Sequence, residues 1–306
     1  MPPVSSTPPD RRGVLAAVLA YALWGLFPAF WALMAPASSV EVLAHRIAWT
    51  AVLMVVVLSL VRGWGDLRRL SVRGWALALT AGCLIAVNWG LFVYSVLIGH
   101  VVEVALGYFM SPLVNVLLGV VVLRERMRAV QWVAVVLALA AVVVIATGST
   151  GPPWTALGLA LSFGVYGLVK RVIPLAAVPG LTAESLAVGP LAVAVAIGFE
   201  LTGLGTFTTA GPLHAALLIA GGPVTAVPLL LFAFAARRVP LTVLGVLMYV
   251  NPVLQFLWGV LVVGETMPLT RWLGFALVWI ALVIFTVDLV RHSREEQAIT
   301  VGDPGP

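Results

Sequence analysis

Three ionisable side chains lie together in an otherwise apolar stretch near residue 45. Glu41 and His45 are four residues apart and would share one face of a helix, and Arg46 follows directly. An arginine at the centre of a membrane helix costs about 2.5–3.5 kcal/mol to insert, so it normally faces a partner or a watery cavity. Glu103, which opens another apolar stretch, is the predicted partner. The cluster predicts either a substrate-binding or coupling site or an ion pair that locks two helices.

A second group of candidates combines an amide with aromatic rings: Asn88, Trp89, Tyr94 and Tyr108. If these side chains line a cavity, they suit an aromatic or amphipathic solute. The alternative is that Asn88 makes interhelical hydrogen bonds and that the rings form belts at the membrane interfaces. The sequence leaves both interpretations open.

The composition of the chain fits a membrane. Of its 306 residues 62% are hydrophobic and 9% are charged, whereas a soluble domain carries about 25% charged residues. The net charge of +5 does not indicate nucleic-acid binding, because the basic residues are scattered singly between apolar runs. The single cysteine, Cys83, excludes an intramolecular disulfide, and the histidines lack the spacing of metal ligands. We expect neither a cofactor nor a metal.

Apolar runs bounded by charges or by Gly and Pro predict the transmembrane organisation. Ten runs of roughly 17–25 residues predict an all-α membrane protein with ten transmembrane helices. With the N-terminus in the cytoplasm, fifteen of the 17 Lys and Arg residues fall on the cytoplasmic side, Arg271 falls outside, and Arg46 lies within a span. We therefore predict a multi-pass protein of the cell (inner) membrane with both termini cytoplasmic.

The two halves of the chain repeat each other at an offset of about 140 residues. The matched pairs are Pro112 and Pro252, Asn115 and Gln255, Glu125 and Glu265, and Trp132 and Trp272. Each half holds five spans, an odd number, so the second half must enter the membrane with inverted topology. The predicted organisation is a disordered cytoplasmic N-terminus (1–12), a first five-helix repeat (13–147), a second, inverted repeat (153–290) and a disordered cytoplasmic tail (291–306).

Residues that recur in both halves are predicted to build the scaffold. Pro112 with Asn115, and Pro252 with Gln255, lie on one helix stripe in each half and predict a hinge or scaffold role, because each proline frees the carbonyl four residues before it.

The carboxylates divide by the same criterion. Glu41 matches Glu184, so the alternative to a functional role for Glu41 is that both residues cap helices. Glu125 and Glu265 are expected to make capping or loop contacts. By contrast, the group of His45, Arg46 and Glu103 has no charged counterpart in the second half, which favours function.

Short stretches along nearly the whole chain carry a family resemblance. They are WGLFP from Trp24, EVLAHRIAW from Glu41, NWGLFVY from Asn88, GHVVEVALGYF from Gly99, SPLVN from Ser111, ESL from Glu184 and YVNPVLQF from Tyr249. In these stretches the chain resembles the RarD branch of the EamA transporters, in the drug/metabolite transporter superfamily. The resemblance implies ten helices, two EamA-like repeats and a permease that exports small organic molecules.

The function expected from these features is secondary transport of small organic metabolites or drugs, with alternating access at the repeat interface. Proton coupling through His45, Glu41 or Glu103 and a homodimer are both left open. An enzyme is not expected, because P-loop, HExxH and GxSxG motifs are absent from the sequence. The alternatives are a lipid flippase and a non-transporting membrane receptor.

Overall fold

A computed structural model of the chain describes residues 10–123, 129–148, 153–236, 238–239, 243–244 and 247–302, and this part is all-α. The helices are α1 (Arg11–Gly25), α2 (Phe27–Trp31) with a 3-10 turn (Ala32–Met34), α3 (Ser39–Leu60), α4 (Trp64–Arg68), α5 (Val72–Leu97), α6 (Val101–Leu123), α7 (Ala129–Gly148), α8 (Pro153–Val172), α9 (Ala177–Leu201), α10 (Pro212–Ala236), α11 (Val250–Trp258) with a π-turn (Gly259–Val263), and α12 (Leu269–Gly302). Glu125 and the side chain of Asn115 lie outside the described residues.

Several helices are long and apolar enough to cross a membrane. Within the described residues these are α3, α5, α9, α10 and the first part of α12 (Leu269–Asp288), and the bent pair of α1 and α2 makes a sixth candidate. Shorter apolar stretches of 10–17 residues occur in α6, α7, α8 and α11 with its π-turn. The prediction of an all-α, multi-pass membrane protein is therefore confirmed, while the count of ten spans stays a prediction.

Serine hydroxyls fix where two of the long helices begin. Ser38 precedes α3 and accepts a hydrogen bond from the backbone N–H of Glu41 at 3.2 Å. Ser71 precedes α5 and accepts one from the N–H of Gly74 at 3.2 Å. Because the first N–H groups of a helix have no partner within the helix, such caps stabilise its start by about 1 kcal/mol. The cap of α3 is thus Ser38 and not the Glu41 side chain.

The first predicted span is broken between α1 and α2. α1 ends at Gly25, α2 begins at Phe27, and the two parts are inclined by 42°. Pro28 lies in the first turn of α2, where its missing N–H needs no partner. The break turns Phe27 and Trp31 into an apolar cluster with Phe92 of α5, and this placement shapes the site described below.

The predicted ninth span, residues 241–263, is also interrupted in its described part. Met248 and Tyr249 form a turn, and α11 begins at Val250, two residues before Pro252. The Met248 carbonyl, which Pro252 cannot bond, accepts from the N–H of Asn251 at 3.3 Å instead. Pro112, by contrast, lies inside the continuous helix α6, so the two matched prolines act differently on their helices.

The C-terminal segment differs from the expectation of a disordered tail. The backbone of residues 291–302 continues α12 as helix. Residues 294–298 are Arg-Glu-Glu-Gln-Ala, all good helix formers, so the local propensity favours continuing the helix.

Helices from the two ends of the chain alternate around a common centre. α3 packs against α9 and α10, α5 against α8 and α9, α6 against α8 and α11, and α1 against α10 and α11. α7 and α12 pack against each other. Glycines permit two of the closest approaches: a Cβ on Gly222 of α10 would lie 2.6 Å from the backbone carbon of Trp49, and one on Gly82 of α5 would lie 2.9 Å from the carbonyl oxygen of Glu184.

We expect Gly222→Ala to reduce the yield of folded protein and its melting temperature. The added methyl group would overlap the backbone of α3, and overpacking of this kind costs typically about 1–3 kcal/mol. Gly198→Ala in α9 is the matched control, because a Cβ at Gly198 would have no atom within 4 Å. Fluorescence-detected size-exclusion chromatography during heating compares the two variants, and equal stability would contradict the close packing of α3 and α10.

Candidate functional site

A cavity of about 560 Å³ lies among helices from both ends of the chain. Its lining is mostly apolar and aromatic, and the aromatic residues that reach it are Tyr21, Trp24, Phe27, Trp89, Phe92, Tyr108, Phe163, Tyr166, Phe232 and Tyr249. Charged side chains reach it at two places, through Arg46 and Lys170, and no Asp or Glu lines it within the described residues. The cavity is therefore apolar with two cationic points.

Arg46 lines the cavity and is only 2% exposed. Trp31 and Thr225 beside it are each 1% exposed, so we call this buried end the closed end of the cavity. Its Nε donates to Thr225 Oγ1 of α10 at 2.9 Å. The guanidinium carbon lies 4.2 Å from the ring centre of Trp89, 4.6 Å from that of Trp31 and 5.5 Å from that of Phe27. Cation–π contacts of this kind stabilise a desolvated guanidinium by about 2 kcal/mol or more.

The predicted carboxylate partner of Arg46 is wrong. No carboxylate of the described residues lies within 4 Å of its guanidinium, and Nη1 is buried without a hydrogen-bond partner. Glu103 instead binds Arg271, and Glu41 binds Thr206. The sequence correctly predicts that Arg46 is buried beside a cavity, but aromatic rings take the place that was assigned to a carboxylate.

Asn88 and Tyr108 line the cavity and are bonded to each other. The Asn88 amide donates to the Leu159 carbonyl at 2.9 Å and to Ser162 Oγ at 3.0 Å, and its oxygen accepts from the Tyr108 hydroxyl at 3.0 Å. These bonds join α5, α6 and α8. The sequence left two interpretations open for Asn88. Its contacts are interhelical hydrogen bonds, and its side chain also lines the cavity.

Lys170 marks the opposite, more open end of the cavity. Its side chain is 29% exposed, and its Nζ contacts Glu184 Oε1. Tyr166 donates to the other oxygen of Glu184 at 3.1 Å. Glu184 is therefore an ion-pair partner two turns inside α9 and not a helix cap. No motif in the sequence points to Lys170, although it is the only lysine of the chain.

Glu41 and His45 lie in the first two turns of α3, just before Arg46, and outside the cavity lining. Glu41 Oε1 accepts from the N–H and the hydroxyl of Thr206 at 2.6 and 2.9 Å. His45 stacks on Phe207 with ring centres 4.8 Å apart. Both residues thus hold the segment between α9 and α10 against the start of α3.

Glu103 belongs to a compact charged cluster at the start of α6. Its Oε1 accepts from Arg271 Nη2 at 2.5 Å, and Arg271 Nη1 lies 3.9 Å from Glu265 Oε2. Glu265 Oε1 also accepts from the N–H groups of Val101 and Val102 at 2.5 and 2.9 Å. The predicted capping role of Glu265 holds, but the helix it caps belongs to the other half of the chain.

Metal-ligating side chains meet only in this cluster within the described residues. One ligand atom from each of His100, Glu103 and Glu265 lies within 4.8 Å of the others. Arg271 contacts both carboxylates and supplies the positive charge that a metal ion would otherwise bring. The arrangement is that of an ion-pair network that joins α6 to the start of α12.

The other predicted site residues have separate positions. Tyr94 is 36% exposed and stacks on Trp154 away from the cavity, so it does not join Asn88, Trp89 and Tyr108 there. Pro252 and Gln255 line the cavity from α11, and Pro112 is buried in α6. Gln255 donates to Asn251 Oδ1 at 2.7 Å and leaves its own buried oxygen without a partner.

Comparison with known proteins finds a transporter family and relatives that span nearly the whole chain. The family model of the EamA-like transporter family matches residues 11–147. Protein RarD of Streptomyces exfoliatus is 47% identical over 291 residues, 94% of this chain and 92% of that protein. An uncharacterized transporter of Pseudomonas aeruginosa is 39% identical over 287 residues, 93% of this chain and 96% of that protein. A solved crystal structure with 20% identity shares the fold with a TM-score of 0.59, over 90% of this chain and 97% of that chain.

The apolar helices and these relatives together define a multi-pass membrane transporter. Within that class the chain belongs to the EamA family, in its RarD branch. The family resemblance carried by the short sequence stretches is thereby confirmed.

Proposed function

We propose that the chain is a secondary transporter that moves a small organic solute across the cell membrane by alternating access. The cavity carries the proposal, because its volume of about 560 Å³ falls in the range of small-molecule sites. Helices from both halves line it, and secondary transporters built from repeats bind their substrates at the repeat interface. The two proposed repeats are residues 13–147 and 153–290.

The packing of the helices supports an internal pseudo-two-fold relation between these halves. If the five spans of one half are exchanged for those of the other, α1 with α10 becomes α8 with α5, and α3 with α10 becomes α9 with α5. Likewise, α6 with α8 becomes α11 with α1, and all of these pairs are packed. Gly82 and Gly222, which allow two of these approaches, are 140 residues apart, the offset that aligns the halves.

The proposed orientation places the open end of the cavity in the cytoplasm. Lys170 lies near the C-terminal end of α8, on the side where the basic residues accumulate. Arg46 lies near the N-terminal end of α3, which is on the outer side in this orientation. The structure then represents a state that is open to the cytoplasm and closed to the outside.

Both termini are expected to be cytoplasmic. Tags fused to either end should stay inaccessible to a membrane-impermeant label in intact cells and become labelled after permeabilisation, because the basic residues flanking the spans resist translocation. A tag inserted between α9 and α10 is the positive control for outside exposure. Labelling of the C-terminal tag in intact cells would mean an odd number of spans and would contradict the inverted repeat.

The proposed outer closure is the network of Glu103, Glu265 and Arg271. It ties the start of α6 to the loop after α11 and to α12, and all three side chains are almost fully buried. Access from the outside requires these contacts to separate. Glu41 with Thr206, and His45 with Phe207, provide a second set of contacts at the same end.

Acid pH is expected to favour the outer-closed state. Burial, reinforced by the nearby charge of Glu103, raises the pKa of Glu265 to about 7, although the N–H groups of Val101 and Val102 and the guanidinium of Arg271 oppose the shift. Opening would hydrate Glu265 and lower its pKa again, so the closed state binds the proton more tightly. Raising the pH from about 6 to about 8 should therefore shift the population toward the open state, by at most about tenfold per pH unit.

A cysteine at Val104, buried in α6 near the network, measures this shift after Cys83→Ser removes the exposed native thiol. Its labelling rate is normalised at each pH to that of the same cysteine in unfolded protein. Glu265→Gln should abolish the pH dependence, whereas His100→Asn, which changes the other titratable neighbour of Glu103, should leave it intact. A pH dependence that survives Glu265→Gln would assign the effect to another group.

Transport by the purified protein tests the proposed function directly. In proteoliposomes preloaded with small aromatic acids, amides and amines, labelled solute should accumulate transiently by counterflow, and protein-free vesicles should show none. Dithionite quenching of fluorescent phospholipids in the same vesicles measures lipid movement. Lipid movement without solute counterflow would support the flippase alternative, and binding without either would support a receptor.

A further inference from the structure

Among the described residues, the cavity contains one cation that has no carboxylate partner. Of the two charged residues that line it, Lys170 is paired with Glu184. Arg46 has no carboxylate within 4 Å among the described residues. The charge that a solute meets at the closed end of the cavity is therefore that of Arg46.

The hydrogen-bonding capacity of Arg46 is also incomplete. Nε is used by Thr225, whose own hydroxyl donates to the Gly221 carbonyl at 2.8 Å, so this contact is fixed within α10. Nη1 is buried and has no partner. A guanidinium presents its donors in a planar fork that matches the two oxygens of a carboxylate, and a buried donor without a partner is costly.

Two other polar side chains that line the cavity, Asn88 and Tyr108, already have partners. The amide nitrogen of Asn88 and the hydroxyl of Tyr108 are engaged in the bonds that join α5, α6 and α8. The rings of Trp89 and Trp31 contact the guanidinium but accept no hydrogen bond of ordinary strength from it. The unpaired donor and the uncompensated charge thus coincide on one side chain.

We propose that the transported solute is an organic monoanion, a carboxylate attached to an apolar body the size of one or two rings, and that Arg46 binds its carboxylate. The apolar body would lie among Ile85, Phe92 and Phe163, which line the same cavity. The N–H groups of Arg46 that Thr225 does not use would then donate charge-assisted hydrogen bonds to the carboxylate, and such bonds are stronger than neutral ones. This inference rests on the proposed function only for the statement that the bound solute is carried across the membrane.

A matched pair of probes tests the binding step without any transport. 3-Phenylpropionate and 3-phenylpropionamide have nearly the same shape and differ in charge. The melting temperature of the detergent-solubilised protein is measured against the concentration of each probe. We expect the acid to bind about 10- to 100-fold more tightly than the amide, the difference that one charged hydrogen-bonding pair provides. In Arg46→Gln the preference for the acid should disappear, and Arg46→Lys should keep part of it.

Each result has a distinct meaning. Equal binding of acid and amide to the wild-type protein, no binding of the acid up to its solubility limit, or a preference for the acid that survives in Arg46→Gln would each overturn the inference. Counterflow of neutral or cationic solutes alone would also overturn it and would leave the proposed transport function standing. Binding of the acid through Arg46 without counterflow of any solute would support the anion site and contradict the transporter.

Discussion

Arg46→Ala is expected to abolish most transport while leaving the protein folded. Among the described residues the guanidinium is the one charged group at the closed end of the cavity, and losing its charge-assisted bond to a solute should lower the transport rate by about 10- to 100-fold. The fold should tolerate the change, because no carboxylate in the described part of the chain pairs with Arg46 and would be left buried without a partner. Removal of an unpaired buried charge differs in this respect from the breaking of an ion pair.

Counterflow and the amount of monodisperse protein should be measured on the same preparations. Arg46→Lys should recover only part of the activity, because an ammonium group lacks the planar fork of the guanidinium. If activity falls only in step with the amount of folded protein, or does not fall, Arg46 is structural and the candidate site is wrong.

Arg271→Ala is expected to have the opposite profile, with a large loss of stability. This residue is 3% exposed and contacts both Glu103 and Glu265, so its removal leaves two buried carboxylates without a counter-charge. Breaking a buried pair in this way typically costs about 3–5 kcal/mol. The loss would appear as a lower melting temperature and as exposure of the outer end to the cysteine label.

A double-mutant cycle separates the charge effect from the loss of packing. Glu103→Gln combined with Arg271→Ala removes one of the orphaned charges and should restore part of the stability, whereas Glu41→Gln combined with Arg271→Ala should restore none. The second pair is the matched control, because Glu41 contacts Thr206 and not Arg271. Additive losses for Glu103 and Arg271 would mean that the two residues do not interact as described.

Much of the fold could be predicted from the sequence because membrane helices are encoded locally. Length and apolarity indicate the spans, and the serines before α3 and α5 mark where they begin. The breaks were harder to predict. Pro112 and Pro252 occupy matched positions, yet α6 continues through the first while the second lies at the start of α11 after a turn. Whether the carbonyl four residues before a proline finds another hydrogen-bond donor depends on the surrounding helices.

The site was predicted in its residue types and only partly in its contacts. Arg46, Trp89 and Tyr108 do meet at one cavity. Tyr94, six residues after Asn88 in α5, stacks on Trp154 away from the cavity. Six residues are not a whole number of helical turns, so the two side chains leave α5 from different faces. Lys170 belongs to none of the quoted motifs, and Glu184 was interpreted as a helix cap, so only their proximity in the structure reveals the pair.

The sequence alone determined that this chain spans a membrane repeatedly, that it resembles EamA transporters of the RarD branch, and that an arginine is buried in its second span. The spans follow from the length and apolarity of the runs, the resemblance from short sequence stretches, and the prediction for the arginine from its charge within an apolar run. None of these depends on how the helices pack. The tertiary structure decided how the charges pair. Glu103 and Arg46 are brought to different places, and Glu103 reaches Arg271 from 168 residues away. The reason is that an ion pair depends on atoms within a few ångströms of each other, and only the packing of helices from both halves sets those distances.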